Sequence, residues 1–175
     1  LISLPRWQPL KSYRVVRRLL DEQPDLADVI VGLDFCHFEE GHPPESTRPF
    51  FQRLHWDNAN RSAQRLDVAY HVGEVYFDKS LESAVRWCHE AAELGAARLG
   101  HCTALGLDPA IAIARRDQAH ERESILERLS QIRYDLCHAE ALRAHGVDID
   151  CDALQTEQAD LSARDYTMRY RRPYD

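Results

Sequence analysis

The spacing of apolar residues changes several times along the first hundred residues of the chain. Apolar side chains three and four positions apart predict a helix over residues 8–22. A nearly continuous apolar run over 28–35, rich in β-branched residues, predicts a strand buried on both faces of a parallel sheet. The alternation then predicts a helix over 49–63, a strand over 65–72, a helix from Ser80 to Gly95 and a strand over 96–102. Three successive strand–helix units predict a parallel α/β architecture, whose strands present functional residues at their carboxyl ends.

The pattern becomes helical after residue 106. It predicts a long helix over 118–145 with an apolar seam at alternating spacings of four and three, formed by Ile125, Leu129, Ile132, Leu136 and Ala139. Residues 152–170 predict a second helix that can cover this seam after a turn. A seam this short favours packing within one chain as a helical hairpin, with oligomerisation through the helical segment as the alternative. The chain therefore divides into residues 1–106 and 107–175.

Composition and charge narrow the class of protein. The 175 residues include 22 Lys and Arg against 29 Asp and Glu, a formal net charge of -7, which argues against nucleic acid as a direct partner. No apolar run is long enough to cross a membrane, so no membrane partner is expected. The five cysteines are an odd number without a CxxC pair. This predicts neither a disulfide framework nor a zinc knuckle and favours a reducing, cytoplasmic environment.

Several reactive side chains receive a structural interpretation. Cys36, Cys88 and Cys102 lie in or beside apolar segments, so we predict that they are small buried hydrophobic residues. Four histidines of the predicted helices show no carboxylate or cysteine partner at ligand spacing, and they are interpreted as surface or helix-end residues. This group comprises His89, His120, His138 and His145.

Candidate catalytic residues follow two successive predicted strands. His71 lies at the end of one strand, Glu74 follows it after Gly73, and His101 lies at the end of the next. Neighbouring parallel strands lie about 5 Å apart, so these three side chains can converge at one edge of the sheet. An imidazole can bind zinc and a carboxylate can transfer protons. The arrangement therefore predicts a hydrolytic metal site.

Three motifs occur in a fixed order along these segments. They are Val31-Gly32-Leu33-Asp34, His71-Val72-Gly73-Glu74 and Arg98-Leu99-Gly100-His101-Cys102. They resemble the VGxD, HAGE and RIGHG motifs of the adenosine deaminase family, zinc-dependent members of the amidohydrolase superfamily with a (β/α)8 barrel. The resemblance covers roughly residues 25–106. It implies that residues 1–106 form part of a TIM barrel of a metal-dependent hydrolase, about three β/α units, followed by a helical insertion or hairpin over 107–175.

The resemblance also implies roles for the candidate residues. His71 would be a ligand of a single Zn²⁺ ion, Glu74 the acid that protonates the purine ring nitrogen, and His101 the residue that orients and activates the zinc-bound hydroxide. The implied partner is a small purine nucleoside. The implied reaction is hydrolytic deamination of adenosine, or of a related aminopurine nucleoside or nucleotide, with release of ammonia.

The family takes its other zinc ligands from an HxH on its first strand and an Asp on a late strand. Neither an HxH nor a late Asp-Asp-Pro occurs in this chain. A catalytic zinc needs at least three protein ligands, so the chain, which also lacks an initial Met, is expected to be an inactive fragment of a larger enzyme.

Two alternatives to an adenosine deaminase stay open. The first is a catalytically inactive, deaminase-like binding or assembly protein. The second is an amidohydrolase for another aminated base or nucleotide. His37 stands where the family has a glycine, so His37, Glu39 and Glu40 are the residues expected to distinguish the substrates.

Overall fold

A parallel sheet of four strands forms the centre of the fold. The computed structural model describes residues 1–61, 64–75, 78–111, 114 and 124–170, with side chains as far as residue 165. The strands are β1 (Ile2–Ser3), β2 (Gly32–Phe35), β3 (Asp67–Val72) and β4 (Arg98–His101). Each strand pairs in parallel with the one that precedes it in sequence, in the order β1-β2-β3-β4. The fold is therefore mixed α/β, with successive strands as neighbours.

Helices connect the strands and continue beyond the sheet. The three connecting helices are α1 (Pro9–Glu22), α2 (Arg48–Asn60) and α3 (Leu81–Leu94), and the later ones are α4 (Ile125–Cys137), α5 (Ala139–Ala144) and α6 (Cys151–Tyr170). Short 3₁₀ turns lie at Pro24–Asp28, Pro44–Thr47 and Thr103–Gly106. The Ser80 hydroxyl accepts a hydrogen bond from the Ser83 amide and so caps α3, as predicted. No described helix is long and apolar enough to cross a membrane.

The three connecting helices cover one face of the sheet. Along β3, Val68, Tyr70 and Val72 are buried, whereas the alternate residues Ala69 and His71 are only half-buried. The buried strand residues share one hydrophobic core with α1, α2 and α3, and its helical members include Tyr13, Leu20, Phe50, Phe51, Leu54, Trp87 and Ala91. His71 therefore lies on the opposite face, which the described helices leave partly open.

The strand predicted over 28–35 is shorter than expected, because β2 begins only at Gly32. The amides of Val29 and Ile30 both donate to the Leu26 carbonyl, so the turn after α1 extends to Ile30. Val29 and Val31 are 70% and 61% exposed. Sequence patterning also missed β1, because two residues are too few to show a period. The apolar run thus predicts the strand and its burial, with Asp34 as its one half-buried residue, but not the residue at which the strand begins.

The predicted helical hairpin is present. Arg128 of α4 donates two hydrogen bonds, of 2.8 and 2.7 Å, to the Glu157 carboxylate of α6. The predicted helix over 118–145 is described only from Ile125, and it is interrupted at His138 between α4 and α5. Residues 118–123 lie outside the described part of the chain.

Helix α4 also packs against α3, which the seam alone did not predict. The Glu127 carboxylate accepts hydrogen bonds from Arg86 and from the Trp87 indole, the latter at 2.9 Å. Arg86, Trp87 and Glu127 are all buried. A buried ionic network therefore joins the helical segment to the layer of helices that covers the sheet.

Candidate active site at the carboxyl edge of the sheet

The register of β3 and β4 determines the position of His71. His71 pairs with Gly100 of β4, and a Cβ atom built on Gly100 would overlap the His71 ring. Glycine is thus required at this position by the close approach of the ring. The Nε2 atom of His71 lies 3.7 Å from Oδ1 of Asp34, which ends the first motif on β2. The sheet therefore brings a histidine and a carboxylate from adjacent strands together.

His101 and Glu74 form the other side of this group. Nε2 of His101 is 3.3 Å from Oε2 of Glu74, and the His71 and His101 rings meet edge to face with centroids 5.1 Å apart. His101 and Cys102 have φ values of 64° and 51°, a left-handed conformation that is uncommon outside glycine. Consecutive strained residues of this kind cluster at functional sites. His71, Glu74 and His101 are thus brought together at one edge of the sheet.

A buried carboxylate holds the loop that carries Glu74. Glu39 accepts hydrogen bonds from the amides of Gly73, Glu74 and Val75, at 3.0, 3.1 and 3.3 Å. Gly73 adopts a φ of 71°, and a Cβ built there would lie 2.6 Å from Sγ of Cys88. Glu39 therefore fixes the backbone at Glu74, a role that the sequence did not indicate.

Arg6 joins the ends of β2 and β3 from the first segment of the chain. Its guanidinium donates to the carbonyls of Phe35 at 3.0 Å and His37 at 2.9 Å, and also to the carbonyl of His71. The Arg6 side chain is buried, with its guanidinium carbon 4.9 Å from the centre of the Tyr70 ring. Arg6 thereby satisfies backbone acceptors that strand pairing leaves open.

A cavity of about 400 Å³ lies beside these residues. Its lining comprises Arg6, Cys36, His37, Phe38, Glu39, Glu40, His71, Glu74 and Val75. The residues expected to distinguish substrates therefore share a cavity with His71 and Glu74, and its volume lies in the range of small-molecule sites. His101 is absent from that lining. Phe38, at the cavity, is 83% exposed.

The three cysteines of this region differ in burial. Cys88 is buried, and burial raises the pKa of its thiol to about 12, which agrees with its interpretation as a hydrophobic residue. Cys102 is half-buried, and Cys36 is exposed, with its Sγ 2.8 Å from the Ser3 hydroxyl. The prediction of burial is wrong for Cys36, because the chain leaves the sheet at that residue and begins the loop that lines the cavity.

Asp34 gives the strongest sign that a cation could bind at the sheet edge. Its Oδ1 is buried and has no hydrogen-bond partner among the described residues, although Nε2 of His71 is near. Two such donor atoms fit neighbouring positions around one ion, but a zinc site needs at least three protein ligands. Within the described residues, these side chains do not form a group of three close ligand atoms. The donor set is therefore compatible with zinc but incomplete.

One close group of three ligand atoms does occur among the described residues, on the helices. It consists of His89 and Glu93 on α3 and of His138 at the end of α4. His89 is exposed and His138 lies at a helix end, as predicted, but the expectation that they lack a carboxylate partner is wrong. The spacing of His89 and Glu93, one helical turn, could have indicated half of the group. His138 joins it only through the packing of α4 on α3.

A scan against models of known protein families finds no match, and a search of curated proteins finds none either. Function must therefore be inferred from the identity and placement of the side chains at the sheet edge.

Proposed function

We propose that this chain is part of a zinc-dependent hydrolase that deaminates adenosine or a related aminopurine nucleoside or nucleotide. The observation that carries the proposal is the convergence of His71, Glu74 and His101 at the carboxyl edge of a parallel sheet. This edge is where α/β enzymes bind their substrates. The three residues also belong to the motifs that resemble those of the adenosine deaminase family.

The topology supports part of a (β/α)8 barrel rather than a doubly wound sheet. A barrel places successive strands side by side and all of its helices outside the sheet. A doubly wound sheet instead reverses its strand order and has helices on both faces. The observed order is sequential, and α1, α2 and α3 share one core on one face. On this proposal, the half-open face that carries Asp34 and His71 is the interior of the barrel.

Each residue has a distinct role in the proposed reaction. His71 would hold the ion through Nε2, with Oδ1 of Asp34 as its neighbour. Zinc supplies a nucleophile from water at neutral pH. His101 would orient the attacking water, accept its proton as the C–O bond forms, and pass that proton to the amino group, which leaves as ammonia when the C–N bond breaks. Glu74, which lines the cavity, would donate a proton to the ring nitrogen of the purine and recover one from the new hydroxyl group as the carbonyl forms.

The incomplete donor set is part of the proposal. His71 and Asp34 supply two atoms, so the remaining ligands come from other strands of the same barrel, outside these 175 residues. The active species is accordingly the full-length protein that contains this chain.

Two measurements on that full-length protein test the proposal, its zinc content and its release of ammonia from a substrate. We expect stoichiometric zinc and ammonia release from adenosine or another aminopurine nucleoside or nucleotide. Glu74→Gln should lower the rate by at least about 100-fold, the contribution of a general acid, with zinc retained. Glu140→Gln, which removes an exposed carboxylate on α5, is the matched control and should leave the rate unchanged. An unchanged rate in Glu74→Gln excludes Glu74 as the acid.

The second candidate function is a binding or assembly protein that keeps the fold without the chemistry. It is favoured by the incomplete donor set and by α6, along which the described side chains are half-buried or exposed. A full-length protein that contains no zinc and releases no ammonia would support this candidate. In that case, substitutions at His71 and His101 should leave partner binding unchanged.

A further inference from the structure

A second group of metal-binding side chains lies on the helices, separate from the sheet edge. His89 and Glu93 are one turn apart on α3, and His138 directly follows α4. Their ligand atoms all lie within 4.8 Å of one another. We propose that His89, Glu93 and His138 bind a divalent transition-metal ion such as Zn²⁺, and that the bound ion stabilises the packing of α4 against α3. This site would be structural and independent of the proposed deaminase chemistry.

Glu93 lies between the two imidazoles. Its Oε2 is 3.6 Å from Nδ1 of His89, and its Oε1 is 3.7 Å from Nε2 of His138. The two histidine rings meet edge to face with centroids 5.5 Å apart. Ligand atoms around a tetrahedral zinc, with bonds of about 2.0–2.2 Å, are themselves separated by roughly 3.3–3.6 Å. Small side-chain rotations therefore suffice to bring the three ligands onto one ion.

The backbone already orients His138 for this role. Its Nδ1 lies 2.8 Å from the carbonyl oxygen of Tyr134. A carbonyl oxygen only accepts hydrogen bonds, so Nδ1 carries the proton and the neutral ring presents its lone pair at Nε2. Nε2 is the atom that lies near Glu93. Metal-binding histidines are typically held by a hydrogen bond of this kind on the other ring nitrogen.

The surroundings of the cluster supply further polar atoms. The Tyr134 hydroxyl is 3.0 Å from Nδ1 of His89 and must release that nitrogen when the metal binds. A cavity of about 440 Å³ beside His138 and Glu93 is also lined by Glu90. Oε2 of Glu90 is buried and has no hydrogen-bond partner among the described residues. Glu90 therefore places a second carboxyl group in the wall of this cavity, outside the group of three close ligands.

The composition of the site indicates which ions it takes. Two imidazoles and one carboxylate are the ligand set of many zinc sites, and imidazole also suits Ni²⁺ and Cu²⁺. Ions that prefer all-oxygen shells, such as Mg²⁺ and Ca²⁺, have one protein oxygen ligand here. We therefore expect Zn²⁺ to bind and Mg²⁺ not to compete.

Calorimetric titration of the 175-residue chain with ZnCl₂ tests this site. The His71→Ala/His101→Ala double variant serves as the background, because it removes the histidines of the sheet edge. We expect one saturable Zn²⁺ site in that background. His138→Ala and Glu93→Gln should each weaken the affinity at least about tenfold, as loss of a single supporting group already can. Tyr134→Phe should retain binding, because it removes a competitor for His89 rather than a ligand.

Thermal unfolding gives a second measurement, with His145→Ala as the matched control. Zn²⁺ should raise the Tm of the background and of His145→Ala, which alters an exposed histidine at the end of α5. It should leave the Tm of His138→Ala unchanged. Affinities within twofold of the background in both ligand variants, or no saturable binding, would overturn the proposal. The background lacks His71 and His101, without which the proposed deaminase site cannot form, so the metal site on the helices and the deaminase proposal are tested separately.

Discussion

Gly100 lies directly beside the imidazole of His71. A Cβ built on Gly100 would lie 2.9 Å from Nε2 and 3.1 Å from Cγ of His71. The two residues are register partners on β3 and β4, so neither can move away without disturbing the sheet. The orientation of His71, the candidate zinc ligand, therefore depends on position 100 having no side chain.

Gly100→Ala is therefore expected to destabilise the fold by about 1–3 kcal/mol, the usual effect of overpacking. The loss arises because the added methyl group contacts the His71 ring, so the loss should be smaller in a His71→Ala background. Urea unfolding of the two single variants and the double variant measures this coupling. Gly106→Ala is the control, since a Cβ there meets no atom within 4 Å. Equal losses with and without the His71 ring would show that the close approach does not determine the effect.

Arg6→Met is expected to lower the free energy of unfolding by at least about 2 kcal/mol. The substitution removes charged hydrogen bonds to the carbonyls of Phe35, His37 and His71, and leaves those acceptors unpaired. Arg6→Lys should not restore stability, because one ammonium group cannot replace the planar guanidinium. Arg14→Met, at an exposed position of α1, should change stability by less than about 0.5 kcal/mol. Chemical denaturation checks all three, and full rescue by lysine would contradict the bridging role.

Glu39→Gln is expected to loosen the loop that carries Glu74. A carboxylate accepts at both oxygens, whereas the glutamine amide turns one of them into a donor that faces other N–H donors. We expect destabilisation of about 1–3 kcal/mol. Amide hydrogen exchange at Gly73, Glu74 and Val75 should become faster.

The matched control for Glu39→Gln is Glu40→Gln. Glu40 lines the same cavity but is only half-buried. Its variant should leave exchange at residues 73–75 unchanged. If both variants accelerate exchange equally, the hydrogen bonds from Glu39 do not hold the loop.

The residues that sequence analysis identified are those with local signals. His71, Glu74 and His101 follow apolar runs that mark strands, and the parallel order predicts that strand ends meet. The partners of Arg6 and Glu39 are instead 29–65 and 34–36 residues away in sequence. Asp34 is intermediate. A charged residue in an otherwise buried strand is a sequence signal for a functional side chain. The burial of its unpaired oxygen, however, arises only when β2 pairs with β3.

The limits of the predicted elements have a similar explanation. Capping residues determine both ends of α3, because Ser80 and Gly95 act on the adjacent backbone. The start of β2 depends instead on the turn at Pro24–Asp28, whose hydrogen bonds extend to Ile30. The contact of α4 with α3 could not be predicted, because Arg86 and Glu127 appear in the sequence as ordinary surface charges and are buried only together.

Glu127→Ala is expected to destabilise the chain by about 3–5 kcal/mol. It leaves the buried Arg86 guanidinium without this carboxylate and the Trp87 indole without its acceptor. Glu157→Ala removes a carboxylate of a partly exposed ion pair with Arg128, and should cost less than about 1 kcal/mol. Urea unfolding of both variants, followed by far-UV circular dichroism, compares the two. A larger loss in Glu157→Ala would mean that the hairpin contact, rather than the network with α3, holds the helical segment in place.

Glu90→Gln is expected to stabilise the chain more at pH 7 than at pH 4. Burial, together with the charges of Glu127 and Glu45, raises the pKa of the Glu90 carboxyl above its ordinary 4.5, although Arg86 opposes the shift. Between the ordinary and the raised pKa, the folded state keeps a proton that the unfolded state has released. Stability from this group is therefore fully present below pH 4.5 and is lost as the pH rises through the folded pKa.

A glutamine at position 90 is neutral at every pH and avoids that loss, while its oxygen can still accept from Arg86. The Tm difference between the variant and the parent should thus grow from pH 4 to pH 7. Glu140→Gln removes an exposed negative charge and should show no such growth, which separates burial from net charge. A Tm difference between Glu90→Gln and the parent that is constant, or that shrinks toward pH 7, would contradict this prediction. It would mean that Arg86, rather than burial, has the larger effect on the pKa of the Glu90 carboxyl. In that case, Glu90 would act mainly as the charged partner of Arg86 beside α4, and the burial of its carboxyl group would not be the main influence on its pKa.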